Sequence, residues 1–278
     1  MADHHGEDKT FVDAHWLEEH RGDPGLIVID ARPPKEYWAG HLEGARNFDP
    51  FPFAHYDTSD HGLQVFRKQH EWIFGTLGVS GSETVLFYEN DTGMRATRGA
   101  WALEYSGHHS VRILDGGLKS MPNEKLVTAA PAITPAAFRE HEHPDMVASL
   151  ARIRDGLHKH EARLFDVRTP EEHFGEHVRS RHGGAIPGSI NLNWTEANAP
   201  DGKLKSAEEL RAQYARLGLN PDAPDAEVIA YCQGGYRAAH AYYALHRAGF
   251  KHVRNYVGSW GEWGNHDDVP IGRPRRGG

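Results

Sequence analysis

The sequence predicts an α/β protein of two tandem domains, each a mainly parallel sheet flanked by helices. Three observations predict this fold. The chain has 278 residues, more than one domain usually contains. Short apolar runs alternate with helix-like runs, which favours parallel strands covered on both faces. An internal repeat also relates the first half of the chain to the second.

The repeat joins a series of matching segments in the same order. In both halves a short apolar strand ends in an Asp-x-Arg sequence, Asp30-Ala-Arg32 and Asp166-Val-Arg168. Further matches pair 40–47 with 184–191, 84–88 with 227–231, and 95–103 with 237–245. The second copy carries an insertion around Glu176 to Gly183. We therefore expect two copies of one fold, in which the Asp-x-Arg pairs fix the turn after the strand.

Helix starts and a linker give the domain limits. Asp13 is a predicted cap for a helix over 14–20, and Ser149 for one over 150–160. The stretch 121–135 is rich in proline and small residues, which predicts an extended connection. The predicted organisation is a first domain over 1–125, a linker over 126–145 and a second domain over 146–278.

The chemistry is predicted to lie in the loop Cys232-Gln233-Gly234-Gly235-Tyr236-Arg237, between an apolar strand and a helix. A loop that enters a helix presents free backbone N–H groups, which bind an anion and lower the pKa of a thiol. Cys232 is the only cysteine, so it forms no internal disulfide. The alternative is a buried, inert cysteine, which the glycine pair and the arginine disfavour.

Composition excludes several classes of protein. A net charge of -8 argues against nucleic acid as a partner. No apolar run is long enough for a membrane span and the N-terminus does not resemble a signal peptide, so a cytoplasmic protein is expected. The 21 histidines are scattered without ligand spacing, so no metal site is predicted. No nucleotide-binding motif is present, and no cofactor is expected.

The length of the loop favours sulfur over phosphate. Four residues separate Cys232 from Arg237, one fewer than in tyrosine-type phosphatases, and a tighter ring of amides suits a single sulfur atom better than a phosphoryl group. The first copy has Glu89 at the position of Cys232. A carboxylate there is expected to repel anions, so we predict one active site, in the second copy.

Together these segments resemble the tandem-domain rhodaneses. The resemblance rests on the Asp-x-Arg strand ends, on Ile186-Pro-Gly-Ser-Ile-Asn191, on the six-residue Cys232 loop and on Val257-Gly-Ser-Trp-Gly-Glu-Trp263, and it covers nearly the whole chain. It implies a sulfurtransferase in which the Cys232 thiolate takes the outer sulfur of a small-molecule donor such as thiosulfate. The resulting persulfide passes the sulfur to cyanide or another thiophilic acceptor.

The resemblance also implies roles for the loop residues. The N–H groups of Gln233 to Arg237 would stabilise the sulfur anion, and the glycine pair would let the chain curl. Arg237 would hold an anionic donor, with pairing to an acid near the helix start as the alternative. Tyr236 is expected to form a wall of the pocket. Arg168 is a further substrate-binding candidate, equally well explained as part of a structural ion pair.

Several alternatives stay open. The related mercaptopyruvate enzymes usually have a different loop and a Gly-Arg-Phe where this chain has Glu172-His173-Phe174, which favours thiosulfate; Arg179 and Arg181 could still clamp a carboxylate, and Arg32 could reach the site from the first domain. A relay to a protein or thioredoxin-like acceptor would use the same loop. A phosphatase or arsenate reductase is disfavoured by the short loop, and a binding module by Cys232. A monomer is expected.

Overall fold

A computed structural model describes residues 9–159, 162–223 and 227–276. The chain forms two compact units that are not contiguous in sequence. The first comprises Met1–Pro52, Arg67–Glu142 and Ala199–Leu204, and the second comprises Phe53–Phe66, His143–Asn198 and Lys205–Gly278. Residues 53–66 of the first repeat thus belong to the second unit, and residues 199–204 of the second repeat belong to the first unit. The predicted domains are each an uninterrupted stretch of chain, and their limits stay a prediction.

The first unit is built on a five-stranded sheet in the order β1-β5-β4-β2-β3, and every paired strand is parallel. Its elements are β1 (Phe11–Val12), α1 (Ala14–His20), β2 (Leu26–Asp30), α2 (Pro34–Ala39), β3 (Arg46–Asn47), β4 (Thr84–Tyr88), α4 (Met94–Tyr105) and β5 (Val111–Leu114), followed by a 3₁₀ helix (Gly117–Ser120). The division between the units falls within α3 (Asp60–Thr76).

The second unit has a four-stranded parallel sheet in the order β7-β6-β8-β9. Its elements are α5 (Leu150–Gly156), β6 (Arg163–Asp166), α6 (Pro170–His173), β7 (Ile190–Asn191), α7 (Ala207–Ala215), β8 (Glu227–Tyr231), α8 (Tyr236–Arg247), β9 (His252–Asn255) and α9 (Ser259–Trp263), with 3₁₀ helices at Pro144–Met146, Leu157–Lys159 and Trp194–Ala197. The two sheets share the order of their corresponding strands, so the predicted fold class is confirmed.

The predicted helix starts are correct. Asp13 accepts a hydrogen bond from the N–H of Trp16 at 2.8 Å, and Ser149 accepts one from the N–H of Arg152 at 3.1 Å. The second helix is shorter than predicted, since its last turn is a 3₁₀ helix, and the predicted end at His160 lies outside the described residues.

The predicted linker is extended and packs on the first unit. Val127 pairs with His41 through two backbone hydrogen bonds of 2.9 Å, and the N–H of Ala136 donates to the carbonyl of Gly75 at 2.9 Å. Phe138 is buried in the same unit. No helix in the described part of the chain is long and apolar enough to cross a membrane.

Each sheet has an equivalent polar cluster at its end, which we call the corner. Asp30 accepts hydrogen bonds from Arg32 at 2.5 Å and from the hydroxyl of Tyr88 at 2.8 Å, while Asp166 accepts them from Arg168 at 2.6 Å and from the hydroxyl of Tyr231 at 2.9 Å. Each tyrosine ends the central strand that carries the following loop. The corner in the second unit therefore holds the end of β8, directly before the loop that begins at Cys232.

Candidate active site

Cys232 is the first residue after β8, and its thiol is free and buried. Helix α9 holds the backbone of the loop: the N–H of Trp260 donates to the carbonyl of Cys232 at 3.0 Å, and the N–H of Gly261 donates to the carbonyl of Gln233 at 2.7 Å. The loop is thus fixed through the carbonyls of two successive residues.

The surroundings of Cys232 favour the thiolate. Burial raises the pKa of the thiol, but the charge of Arg237 and the N–H groups of Ala238, Gly234 and Gly235 outweigh it, so that the pKa lies below its usual value. Low pKa and a ring of fixed dipoles are what a nucleophilic sulfur requires.

The two loop glycines serve different purposes. Gly235 adopts a left-handed conformation with φ 80° and caps the start of α8, a position that other residues occupy only with strain. At Gly234 space is limited, because a Cβ atom there would lie 3.3 Å from the hydroxyl of Tyr56 and 3.5 Å from the ring of Tyr236. Tyr236 is itself buried against the loop, as a pocket wall would be.

Arg237 forms a buried, bidentate ion pair with Glu172, with distances of 2.6 Å and 2.9 Å. Burial raises the pKa of Glu172, but the hydrogen bonds and charge of Arg237 outweigh it and lower that pKa to about 2. Glu172 is held in turn by the capping box that it forms with Thr169 at the start of α6. The acid-pairing alternative for Arg237 is therefore present in the structure, while its charge still reaches the sulfur.

Ser259 is a site residue that the sequence reasoning did not identify. Its Oγ accepts the N–H of Cys232 at 3.0 Å and lies 4.0 Å from Sγ, while it donates to the carbonyl of Tyr256 at 2.7 Å. It is the one residue other than glycine with positive φ among those described, at 51°. Strained backbone of this kind concentrates at functional sites.

Arg168 is placed in the structural corner rather than at the loop. Its guanidinium is 1% exposed, donates to Asp166 and to the carbonyl of Gly184 at 2.8 Å, and stacks over Trp260. Arg32 makes the matching contacts with Asp30 and with the carbonyl of Gly40 in the first unit, which has no cysteine. This repetition favours the structural interpretation of both arginines over substrate binding.

The insertion in the second copy borders the loop. The side-chain amide of Gln233 donates to Ser180 Oγ at 3.1 Å. Arg179 lies 3.5 Å from Glu172, and Arg181 pairs with Asp267 at 2.5 Å. Both arginines considered as carboxylate clamps are therefore paired with acids.

In the first unit the corresponding cradle is filled by the protein itself. Glu89 Oε1 accepts the N–H groups of Arg95 at 2.7 Å and of Ala96 at 2.8 Å. Arg95, which corresponds to Arg237, pairs with Asp49 at 3.1 Å instead. The carboxylate does not merely repel anions, as the sequence led us to expect: it takes the place where an anion would bind.

Comparison with known proteins gives a consistent result. The model of the rhodanese-like domain matches residues 13–123 and 149–266. The chain is 33% identical over 259 residues to a thiosulfate sulfurtransferase of Azotobacter vinelandii, covering 92% of this chain and 94% of that protein. It is 32% identical over 286 residues to the sulfur carrier protein TtuD of Thermus thermophilus, covering 95% and 97%. The structure of the 3-mercaptopyruvate enzyme SseA from Escherichia coli superimposes with a TM-score of 0.76 at 28% identity, covering 91% and 99%.

Proposed function

Because the chain belongs to the rhodanese family, we propose that it is a thiosulfate sulfurtransferase that carries sulfur as a persulfide on Cys232. The observation that supports this most directly is the buried thiol within a ring of N–H groups, next to the charge of Arg237. Relatives named thiosulfate sulfurtransferase match 92–95% of the chain.

In the first step the Cys232 thiolate attacks the outer sulfur of thiosulfate. The new bond joins Sγ to that sulfur, the sulfur–sulfur bond of thiosulfate breaks, and sulfite leaves with the electron pair. Total charge is unchanged, since a thiolate and a dianion give a persulfide anion and a dianion. No external oxidant or proton is needed, so the loop has only to stabilise negative charge.

In the second step cyanide or another thiophile attacks the outer sulfur of the persulfide. Thiocyanate leaves, and the electron pair of the broken sulfur–sulfur bond returns to Sγ as the thiolate. The N–H groups of Gly234 and Gly235 serve the anion in both states, which suits a ping-pong cycle. Ser259 holds the backbone of Cys232 throughout.

The test is the mass of the peptide that contains Cys232 after incubation with thiosulfate. One added sulfur atom is expected in the wild type and none in Cys232→Ser, which should fold normally because the loop backbone makes its contacts through main-chain atoms. An unmodified wild-type peptide after treatment with several donors would refute the proposal.

The choice of donor rests on the residues after β6, where Glu172-His173-Phe174 replaces the Gly-Arg-Phe that is usual in the mercaptopyruvate enzymes and Glu172 is paired with Arg237. The exposed pairs of Arg179 and Arg181 with acids contribute little to this choice. We expect kcat/KM for thiosulfate to exceed that for mercaptopyruvate by about tenfold or more. The reverse ratio would assign the chain to the mercaptopyruvate enzymes while leaving the role of Cys232 intact.

A relay to a protein acceptor is the second candidate, favoured by the similarity to a sulfur carrier protein along almost its whole length. It would use the same persulfide and a cysteine of the partner in place of cyanide. Labelled sulfur loaded on Cys232 should then move to reduced thioredoxin used as a probe. Retention of the label on Cys232 would restrict the enzyme to small acceptors.

A further inference from the structure

Residues 53–66 come from the first repeat but belong to the unit that contains Cys232. Within this segment Tyr56 lies against the catalytic loop. A Cβ atom at Gly261 would lie 2.5 Å from Tyr56 Cδ1, and one at Gly234 would lie 3.3 Å from the tyrosine hydroxyl. The ring therefore packs on two residues that have no side chain, one in the loop and one in α9.

The ring covers the point where α9 holds the loop. The N–H of Gly261 donates to the carbonyl of Gln233 at 2.7 Å, and the peptide group that contains this carbonyl also supplies the N–H of Gly234. That N–H is one of those that stabilise the Cys232 thiolate. Shielding a hydrogen bond from water strengthens it and restricts the motion of the peptide group that it fixes.

Tyr56 is itself held in place from two residues along the chain. The N–H and the hydroxyl of Thr58 donate to the two carboxylate oxygens of Glu262, at 2.8 Å and 2.7 Å. The N–H of Leu150 donates to Thr58 Oγ1 at 2.8 Å. Thr58 is 1% exposed and Glu262 is 9% exposed, so these hydrogen bonds are protected from solvent. Tyr56, by contrast, is 49% exposed, so its position is not explained by burial of its own ring.

We infer that Tyr56 is a positioning residue of the persulfide site, which presses on Gly234 and Gly261 and so keeps the loop N–H groups directed at Sγ. This inference rests on the proposed function of Cys232. It assigns to a segment of the first repeat, which has no cysteine, a positioning role at the site of the second. We assign the effect to the ring, because its atoms lie nearest to Gly261 and its Cε1 would lie 3.4 Å from a Cβ atom at Gly234.

The test compares Tyr56→Ala and Tyr56→Phe with the wild type in the rate of Cys232 alkylation by iodoacetamide as a function of pH. Arg237, paired with Glu172, is the charged group that faces the sulfur, and neither variant alters it. Loss of the ring should raise the midpoint of the profile by about one pH unit, as expected for one weakened hydrogen bond to an anion. Tyr56→Phe should keep the wild-type midpoint.

The control is Trp72→Ala, which removes another exposed aromatic ring, 68% exposed on α3. Its midpoint should equal that of the wild type. Thr58→Val, which removes the hydroxyl that binds Glu262, should shift the midpoint in the same direction as Tyr56→Ala. An unchanged midpoint in Tyr56→Ala, or an equal shift in Trp72→Ala, would overturn the inference.

Alkylation needs no sulfur donor, so the two proposals fail separately. A shifted midpoint in Tyr56→Ala without persulfide formation in the wild type would refute the proposed function and retain the positioning role. Persulfide formation in the wild type with an unchanged midpoint in Tyr56→Ala would retain the proposed function and refute the positioning role.

Discussion

Replacing Glu89 with glutamine should stabilise the first unit at alkaline pH. Burial raises the pKa of Glu89 from an ordinary value of 4.5 to about 7, although the N–H groups of Ala96 and Arg95 donate to it and lower the pKa. At about 1.4 kcal/mol for each pH unit, the difference corresponds to about 3 kcal/mol. Glutamine keeps an oxygen for both N–H groups and cannot ionise.

The sign of the effect follows from the proton balance. Between pH 4.5 and about 7 the folded protein retains a proton on Glu89 that the unfolded chain has lost. Wild-type stability therefore falls as pH rises through this window, while that of Glu89→Gln does not. The two proteins should have similar stability at pH 4, and the variant should be more stable by about 3 kcal/mol at pH 8.5.

Calorimetry at a series of pH values from 4 to 9 is the assay, and the expected rise in Tm at pH 8.5 is roughly 10 °C. Glu83→Gln is a matched control in which the change in stability should have the opposite sign. Burial raises the pKa of Glu83, but hydrogen bonds from Ser80 and Gly81 outweigh it and lower the pKa to about 2. That variant should lose stability above pH 4.5. A Tm difference for Glu89→Gln that is equal at pH 4 and pH 8.5 would refute the reasoning.

Other predictions concern the second unit. Glu172→Gln should cost about 3 kcal/mol of stability at pH 7, a difference that disappears as pH falls from 4.5 to about 2, and urea unfolding at several pH values measures it. The same variant should lower the pKa of Cys232, because the charge of Arg237 is no longer neutralised, as alkylation profiles will show. Ser259→Ala should reduce kcat/KM for sulfur transfer by about tenfold to a hundredfold, because the hydrogen bond to Cys232 is lost. Ser259→Gly should show the same reduction in kcat/KM. It should be more stable than Ser259→Ala by about 1 kcal/mol, because glycine tolerates the positive φ. Arg168→Lys should lower Tm but leave KM for thiosulfate unchanged in the folded protein; a raised KM would restore Arg168 to the substrate site.

The features that the sequence predicted are those set by neighbouring residues. A strand that ends in Asp-x-Arg, a serine before a helix and a cysteine before a glycine pair all act within a few residues of one another. The repeat adds a comparison, because Arg32 and Arg168 occupy the same place in a copy without the cysteine and in the copy that has it. Such a comparison separates residues needed for folding from residues needed for chemistry.

The features that the sequence did not predict depend on contacts between distant parts of the chain. Glu172 pairs with Arg237 across 65 residues, and Thr58 pairs with Glu262 across 204. The capping box with Thr169 distinguishes Glu172 from Glu171 locally, but it does not indicate Arg237 as the partner. Nothing local distinguishes Thr58 from other threonines, because the fold selects the partner. Ser259 lies within the motif Val257–Trp263, but only its backbone conformation and its distance to Cys232 identify its role.

The two loops show why the copy without a cysteine keeps an acceptor at the same position. A loop that enters a helix leaves N–H groups without backbone partners, and burying them unpaired would cost about 1–3 kcal/mol each. In the second unit the thiolate of Cys232 accepts them. In the first unit the carboxyl group of Glu89 accepts two, and burial raises its pKa. The need for a hydrogen-bond acceptor thus belongs to the fold, and only the choice of sulfur in the second copy belongs to the chemistry.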